Sequence, residues 1–285
     1  MKTPYPVLLA CAAMIVLALS CQKEISSEQS QDPDPDPPTG KKCRVTEASN
    51  LQWSEMEEDS TSFTRFFYDS IGRVKNIIVF TGDTDRYYYS PTQIIIEEPR
   101  TYDRGGGPQT DLWTLTYALD PRGLAKYSTN NYNGYFNTDS TVYTYDANGY
   151  LVRQDVYDLF TGDDYVVNYS YKDGNMVKAV FQPTYNYHPD SIVFKYTDTD
   201  ATTDVYHYMT SDKYRDNSFY PWTGKQSKKL ISQSMYYWPW ETTTSRLEYS
   251  MGSDGVPVTI RTKATSSARP GVEKTDAIFV KYKCD

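Results

Sequence analysis

Histidine is nearly absent from this chain: His188 and His207 are the only two in 285 residues. No other ligand-type residue clusters with either of them, so a histidine-based metal centre is excluded, and a nucleophile–histidine pair has little to draw on. His188 precedes Pro189 in a loop-like stretch, and His207 alternates with Tyr206 and Tyr208 in a strand-like one. Positive charge is also short, with 29 Lys and Arg against 37 Asp and Glu and a formal charge of −8. A nucleic-acid partner needs a basic stripe, which this balance does not supply. The acid excess reads as a solvated surface. No apolar run reaches the roughly 20 residues that cross a bilayer as a helix. No long stretch has helical periodicity, and the best helix candidate, around Gln226 to Ser232, is a turn or two.

Cysteine is scarce as well, four in all, and the four sort by position. Residues 1–20 carry Lys2, then an uncharged apolar run from Val7 to Leu19, which fits a secretory signal peptide. Ala18-Leu19-Ser20-Cys21 resembles the lipobox of bacterial lipoproteins, although Leu is more usual at the Ala18 position. The resemblance implies that Cys21 is acylated and opens the mature chain, with the membrane as a partner through its lipid. More than one acyl chain would hold firmly where one is marginal. Residues 21–40 continue with Gln, Ser, Glu and Asp-Pro repeats, too polar to offset their ordering entropy, and read as a disordered, semi-rigid tether. Gln22-Lys23-Glu24 resembles the short charged export signal of Bacteroidota lipoproteins, which implies an outer-membrane lipoprotein on the cell surface rather than the periplasmic face. Cys11 departs with the signal. Cys43 and Cys284 then bracket one domain, residues 41–285, and in an exported protein such a pair is bridged.

What the chain has in excess is tyrosine, 28 residues. Phe66-Phe-Tyr-Asp-Ser-Ile-Gly72, Tyr143-Thr-Tyr-Asp-Ala-Asn-Gly149 and Tyr169-Ser-Tyr-Lys-Asp-Gly174 each join an aromatic strand end to an Asp- or Asn-rich turn closed by Gly. Looser copies begin at Tyr117 and Tyr249. Gly supplies the positive φ of a tight turn and Asp bonds the backbone there. Tyr117, Tyr145, Tyr171 and Tyr196 recur every 25–28 residues, so the unit is a hairpin. Alternation puts Tyr165, Val167, Tyr169 and Tyr171 on one face and Ile278, Val280 and Tyr282 on another strand's equivalent. The expected fold is therefore all-β: a large coiled antiparallel sheet of repeated hairpins, a meander or half-barrel, with little helix.

The Tyr-Asp-x-x-Gly motif at 68–72 and 145–149 resembles the YD repeats of Rhs-type surface proteins. With the lipobox, the tether and the bracketing cysteines, the chain is similar to Bacteroidota lipoproteins known only as a domain of unknown function. Asp212 to Tyr220 looks like that family's Asn-Pro-Phe loop, with Ser218 where Pro is usual. The resemblance implies an extended coiled sheet and no activity. Large Rhs proteins close such sheets into shells; this chain has too few repeats for that, so shell-like encapsulation is not expected.

No pair among the 37 acids stands out as a glycosidase pair, no spacing matches a calcium loop, and no cofactor is implied. Gly105-Gly-Gly107 lacks the strand–helix context of a phosphate cradle. The candidate binding residues are Trp222, Tyr236, Tyr237, Trp238 and Trp240, whose flat faces and single polar groups suit sugar stacking or protein contact. Pro239 places the tryptophans at an edge or turn, where the simpler reading is that they cap an open end of the sheet core. The leading expectation is a surface-anchored, non-enzymatic protein that binds glycan or protein. An envelope structural or assembly component is the alternative, and a hydrolase with unidentified acids comes third. A membrane barrel is disfavoured, because the Thr, Asp and Lys faces leave no uniform apolar band.

Overall fold

The computed structural model describes residues 43–54, 57–79, 81–103, 105–132, 135–157, 164–183, 189–201 and 220–284. Cys21, the signal peptide, the tether, both histidines and residues 212–219 lie outside them. Residues 42–285 form one compact unit. Its strands in chain order are β1 (Cys43–Ser54), β2 (Glu57–Tyr68), β3 (Val74–Ile78), β4 (Thr84–Tyr89), β5 (Gln93–Asp103), β6 (Pro108–Leu119), β7 (Ala125–Tyr132) and β8 (Tyr135–Tyr145). They continue as β9 (Leu151–Tyr157), β10 (Tyr165–Lys172), β11 (Asn175–Pro183), β12 (Asp190–Asp200), β13 (Lys229–Tyr237), β14 (Thr242–Met251), β15 (Pro257–Ser266) and β16 (Arg269–Cys284). Every strand pairs antiparallel with its chain neighbours, and β1 pairs with β16, so the sheet is a closed barrel.

Closure corrects the expected open meander or half-barrel. The all-β, antiparallel, hairpin-by-hairpin character stands. The reason for closure lies in the last strand. β16 is paired along one edge with β15, from Thr259↔Phe279 to Ser266↔Arg269. Along its other edge it takes β1, from Cys43↔Cys284 to Gln52↔Asp276. An open sheet would leave two rows of unpaired N–H and C=O groups, and closure removes both. Cys43 and Cys284, 241 residues apart in sequence, are bridged at the seam, their Cα atoms 4.0 Å apart. In the chain-entropy view so long a loop contributes up to about 5 kcal/mol. The expected helix near Gln226 is not there. Residues from Lys229 belong to β13, and the helical turn among the described residues is a 3-10 turn at Pro221–Thr223.

Strand alternation sorts side chains into an inside and an outside. Phe66↔Ile77, Tyr87↔Ile96, Ile94↔Tyr117 and Tyr249↔Ile260 pair across neighbouring strands on the inner face. They gather in two apolar clusters. One is built on Tyr87, Ile94, Ile96, Tyr117, Tyr143, Leu151, Val167 and Tyr169. The other is built on Val45, Phe66, Leu230, Ile260 and Val280 around the seam. Tyr117, Ile96, Val167 and Ile260 have no exposed surface, so both clusters have a fully buried centre.

Tyrosine frequency has a specific cause. Tyr68 OH donates to Val45 O (2.8 Å), Tyr89 to Val74 O (2.8 Å), Tyr145 to Ala125 O (2.8 Å), Tyr196 to Met176 O (2.5 Å) and Tyr249 to Ile231 O (2.6 Å). In each case the acceptor lies on the preceding strand, just beyond the last ladder pair. For β7 and β8, for example, pairing stops at Tyr127↔Val142. The carbonyl left over where the two strands splay would be a buried, unsatisfied acceptor, and a phenol one residue further along closes it. The following turns are equally regular. Asp69 Oδ1 accepts from the N–H of Ile71 and Arg73, Asp120 from Arg122 and Leu124, and Asp146 from Asn148 and Tyr150. Gly72, Gly123 and Gly149 close these turns at φ of 88°, 80° and 84°, where a side chain is strained. A Cβ on Gly72 would also lie 2.5 Å from Arg44 Nη2.

Tyr145→Phe should cost about 1 kcal/mol by orphaning Ala125 O. Adding Tyr249→Phe, in the other cluster, should add its own loss, because sites this far apart behave independently. Urea unfolding of the single and double variants checks both expectations.

Candidate functional site at the two ends of the barrel

Antiparallel succession puts Cys43, Cys284 and the turns after β2, β4, β6, β8, β10, β12 and β14 at one end of the barrel. The turns after β1, β3, β5, β7, β9, β11, β13 and β15 lie at the other. The two ends differ in what fills them.

The first end is capped from inside. In the connection from β12 to β13, the 3-10 turn places Trp222 in the mouth, 7% exposed. Its ring lies edge-on to Tyr117 (5.5 Å) and Tyr89 (6.2 Å) and stacks on Tyr220 (4.6 Å, 6° between planes). The chain that follows is sewn to neighbouring turns: Lys225 N–H donates to Gly149 O (3.0 Å), Lys228 N–H to Gly174 O (3.3 Å), and Met176 N–H to Ser227 Oγ (2.9 Å). Burial raises the Tyr220 and Tyr117 phenols well above their ordinary range. Both are therefore neutral core groups. Trp222 thus belongs to the barrel's cap and lies at the opposite end from Tyr236, Tyr237, Trp238 and Trp240.

At the second end the inner face becomes polar. Arg100 Nη1 donates to Asp85 (2.5 Å) and Arg100 Nη2 to Glu98 (3.2 Å) inside the barrel wall. Burial works against the guanidinium charge, and these two carboxylates more than restore it. On the adjoining strands Trp113 and Tyr132 rings pack at 4.8 Å, and the Tyr132 phenol donates to Asp111. That bond holds the phenol proton up to about 12. Sequence reasoning missed this group. Its signal was the charged i, i+2 spacing of Glu98 and Arg100 within an otherwise apolar strand face.

The remaining candidates do come together here, on the turn between β13 and β14. Tyr236 packs on Trp238 (4.7 Å), and Trp238 on Trp240 (5.9 Å, 34° between planes), while Trp238 N–H closes the turn on Glu241 O (2.8 Å). Tyr236 faces inward and donates to Asp190 (2.9 Å). Tyr237 faces outward, next to Met235. Trp240 is 73% exposed, so it does not cap the core as the simpler reading expected. The neighbouring turn between β15 and β16 is bonded to this one through Ser267 N–H to Thr242 O (2.9 Å) and Thr242 N–H to Ser267 Oγ (2.8 Å). Beside it opens a cleft of about 430 Å³ bordered by Glu241, Thr243, Ser266, Arg269, Val272 and Lys274.

The outer wall carries charge at mid-strand. Glu47 pairs with Arg65 (3.1 Å) on one side and Lys281 (2.5 Å) on the other, Arg153 with Asp155 (2.5 Å), and Lys263 with Glu248 (3.0 Å). Exposed pairs of this kind contribute little stability, but their position matters. In a transmembrane barrel the outward face is the apolar band and the lumen is polar, and an outward Arg or Lys at the bilayer midplane costs about 2–4 kcal/mol.

No family model and no curated protein matches the chain, so nothing identifies it with a YD-repeat or unknown-function family. Among solved structures it is similar to a porin-like protein from Bacteroides uniformis, at 15% identity and a TM-score of 0.61, covering 85% of this chain and 98% of that one. It is also similar to a porin-like protein from Bacteroides vulgatus, at 17% identity and a TM-score of 0.53, covering 84% and 98%. The shared property is the fold. This chain has a porin-like β-barrel.

Trp222→Ala should cost about 3–5 kcal/mol by emptying the cap. Trp240→Ala, at an exposed turn, should stay within about 0.5 kcal/mol of the unsubstituted protein. Guanidinium melts of the two variants side by side check the contrast.

Proposed function

We propose that this protein is a non-enzymatic binding protein of the cell envelope, an outer-membrane lipoprotein anchored through Cys21 and displayed at the surface, whose rim aromatics take a glycan. The observation that carries the reading is the opposition of the two ends. The chain enters the barrel at Cys43, the end sealed by Trp222, while Tyr236, Trp238 and Trp240 stand at the other. The aromatic rim is thus at the end of the barrel opposite Cys43 and the Cys43–Cys284 bridge.

The barrel in this reading is a scaffold. Tyr117 and Ile96 are fully buried in its lumen, and the ion pairs on its outer wall suit water better than acyl chains. A rigid frame holds the exposed rings at fixed spacing, which lowers the ordering cost of binding. Tryptophan faces suit the apolar faces of pyranose rings, and the hydroxyls of Thr243 and Ser266 beside them suit sugar hydroxyls.

The alternative, an assembly component that engages another envelope protein, is favoured by Phe63, Phe67 and Phe279, which stand exposed on the outer wall around the seam. Among the described residues the strands close one barrel within residues 42–285, so a chain from residue 41 onward carries all of them. A glycan array on that oxidised chain should give binding that Trp240→Ala weakens about tenfold or more, a loss of about 1.4 kcal/mol. Silence on the array, with capture of one envelope protein that Phe67→Ser and Phe279→Ser abolish, would replace the glycan reading with the assembly one.

A further inference from the structure

The rim holds two cations that the glycan reading has not used. Arg269 opens β16 and Lys274 follows on the same strand, both bordering the cleft beside the aromatic turn. The ladder brings them there. Thr243 pairs with Ser266 and Ser266 with Arg269, while Ser245 pairs with Ala264 and Ala264 with Lys274. Between the two cations β16 is bulged. Register jumps from Ser266↔Arg269 to Thr265↔Glu273, so three extra residues are accommodated, with Gly271 at φ 84°. A bulge of this kind re-aims side chains at the edge of a sheet, and here it carries Val272 to the cleft between Arg269 and Lys274.

The charges around them are unequally occupied. On the outer face of the same three strands, Lys263 is paired with Glu248 and Lys281 with Glu47. Neither Arg269 nor Lys274 has a carboxylate within ion-pair distance among the described residues. The one acid bordering the cleft, Glu241, accepts hydrogen bonds from the hydroxyls of Ser266 and Thr243, which occupy its Oε1. Asp276, further along the same inner face, is held toward its neutral form by burial, with Lys274 acting against that.

We propose that the rim ligand is an acidic glycan, a chain of sugars bearing carboxylates of the uronate type, held by Arg269 and Lys274 while its rings stack on Trp238 and Trp240. This rests on the reading of the rim as a glycan site and narrows its ligand class. A guanidinium grips a carboxylate through two parallel N–H bonds, and the ammonium adds a point charge in the next row. The chain's net charge of −8 repels an acidic polymer from most of the surface, so an unpaired cationic cleft fixes where such a ligand settles.

The test uses the oxidised chain from residue 41 onward and two probes, a galacturonate oligosaccharide and the same oligosaccharide with its carboxyls reduced to alcohols. Calorimetry should show the carboxylated probe binding about tenfold more tightly. That preference should shrink as salt rises from about 50 to about 500 mM. R269Q with K274Q should erase the preference and leave the reduced probe unaffected, R269K should recover part of it, and W240A should weaken both probes alike. Equal binding of both probes, untouched by R269Q and K274Q but sensitive to W240A, would overturn the acidic class and leave the glycan site. Binding of neither probe, or binding indifferent to W240A, would overturn the rim site and this inference with it.

Discussion

The pairing of β1 with β16 is the constraint from which the rest of the molecule follows. Once the first and last strands share a ladder, no strand has a free edge, and every side chain on the sheet is assigned to a lumen or to an outer wall. The seam is held three ways: by the ladder from Cys43↔Cys284 to Gln52↔Asp276, by the disulfide at one end of it, and by the apolar cluster of Val45, Phe66, Ile260 and Val280 packed behind it. The disulfide acts on the unfolded chain by tying its ends, while the cluster acts on the folded one by removing apolar surface from water. Neither requires the other, so closure does not hang on a single bond.

A lumen sixteen strands around has to be filled or flooded, and tyrosine is suited to filling it. The ring supplies bulk that a leucine cannot, and the hydroxyl reaches the carbonyls exposed where paired strands splay at the capped end. Deeper in, the phenols find side-chain partners, Tyr143 with Ser128 and Tyr169 with Gln154. Phenylalanine would fill the same space and leave those acceptors stranded in a dry core. The apolar clusters inside and the ion pairs outside differ from the polar lumen and apolar outer band of a barrel that spans lipid. The likeness to porin-like proteins is a likeness of fold.

Much of this was legible in the residues. Period-two alternation in Tyr165–Tyr171 and Ile278–Tyr282 located the inner face correctly, and the Asp-x-x-Gly turns sat where expected because their chemistry is local. Cys43 and Cys284 were readable as partners because no other cysteine of the domain competes. Closure was not legible. It depends on the register between strands more than two hundred residues apart, and on strand tilt, which no local pattern encodes. The separation of Trp222 from Trp238 was not legible for a related reason. Each tryptophan stands beside a proline, Pro221 or Pro239, and only the strand count between them shows that they lie at opposite ends. The ion group of Asp85, Glu98 and Arg100 escaped notice because its members sit on two strands and face each other across the wall.

What remains at the rim is a small set of exposed rings and unpaired cations on a frame that does not need them for its own stability. That separation makes function testable without confounding the fold, but it presupposes a barrel that stands in water. The most direct test is flotation of the lipid-free chain from residue 41 onward with vesicles of bacterial phospholipid on a density gradient. The account predicts that the folded, oxidised protein stays in the dense aqueous fractions. Migration with the vesicles would show that the charged wall is buried in lipid and would contradict it.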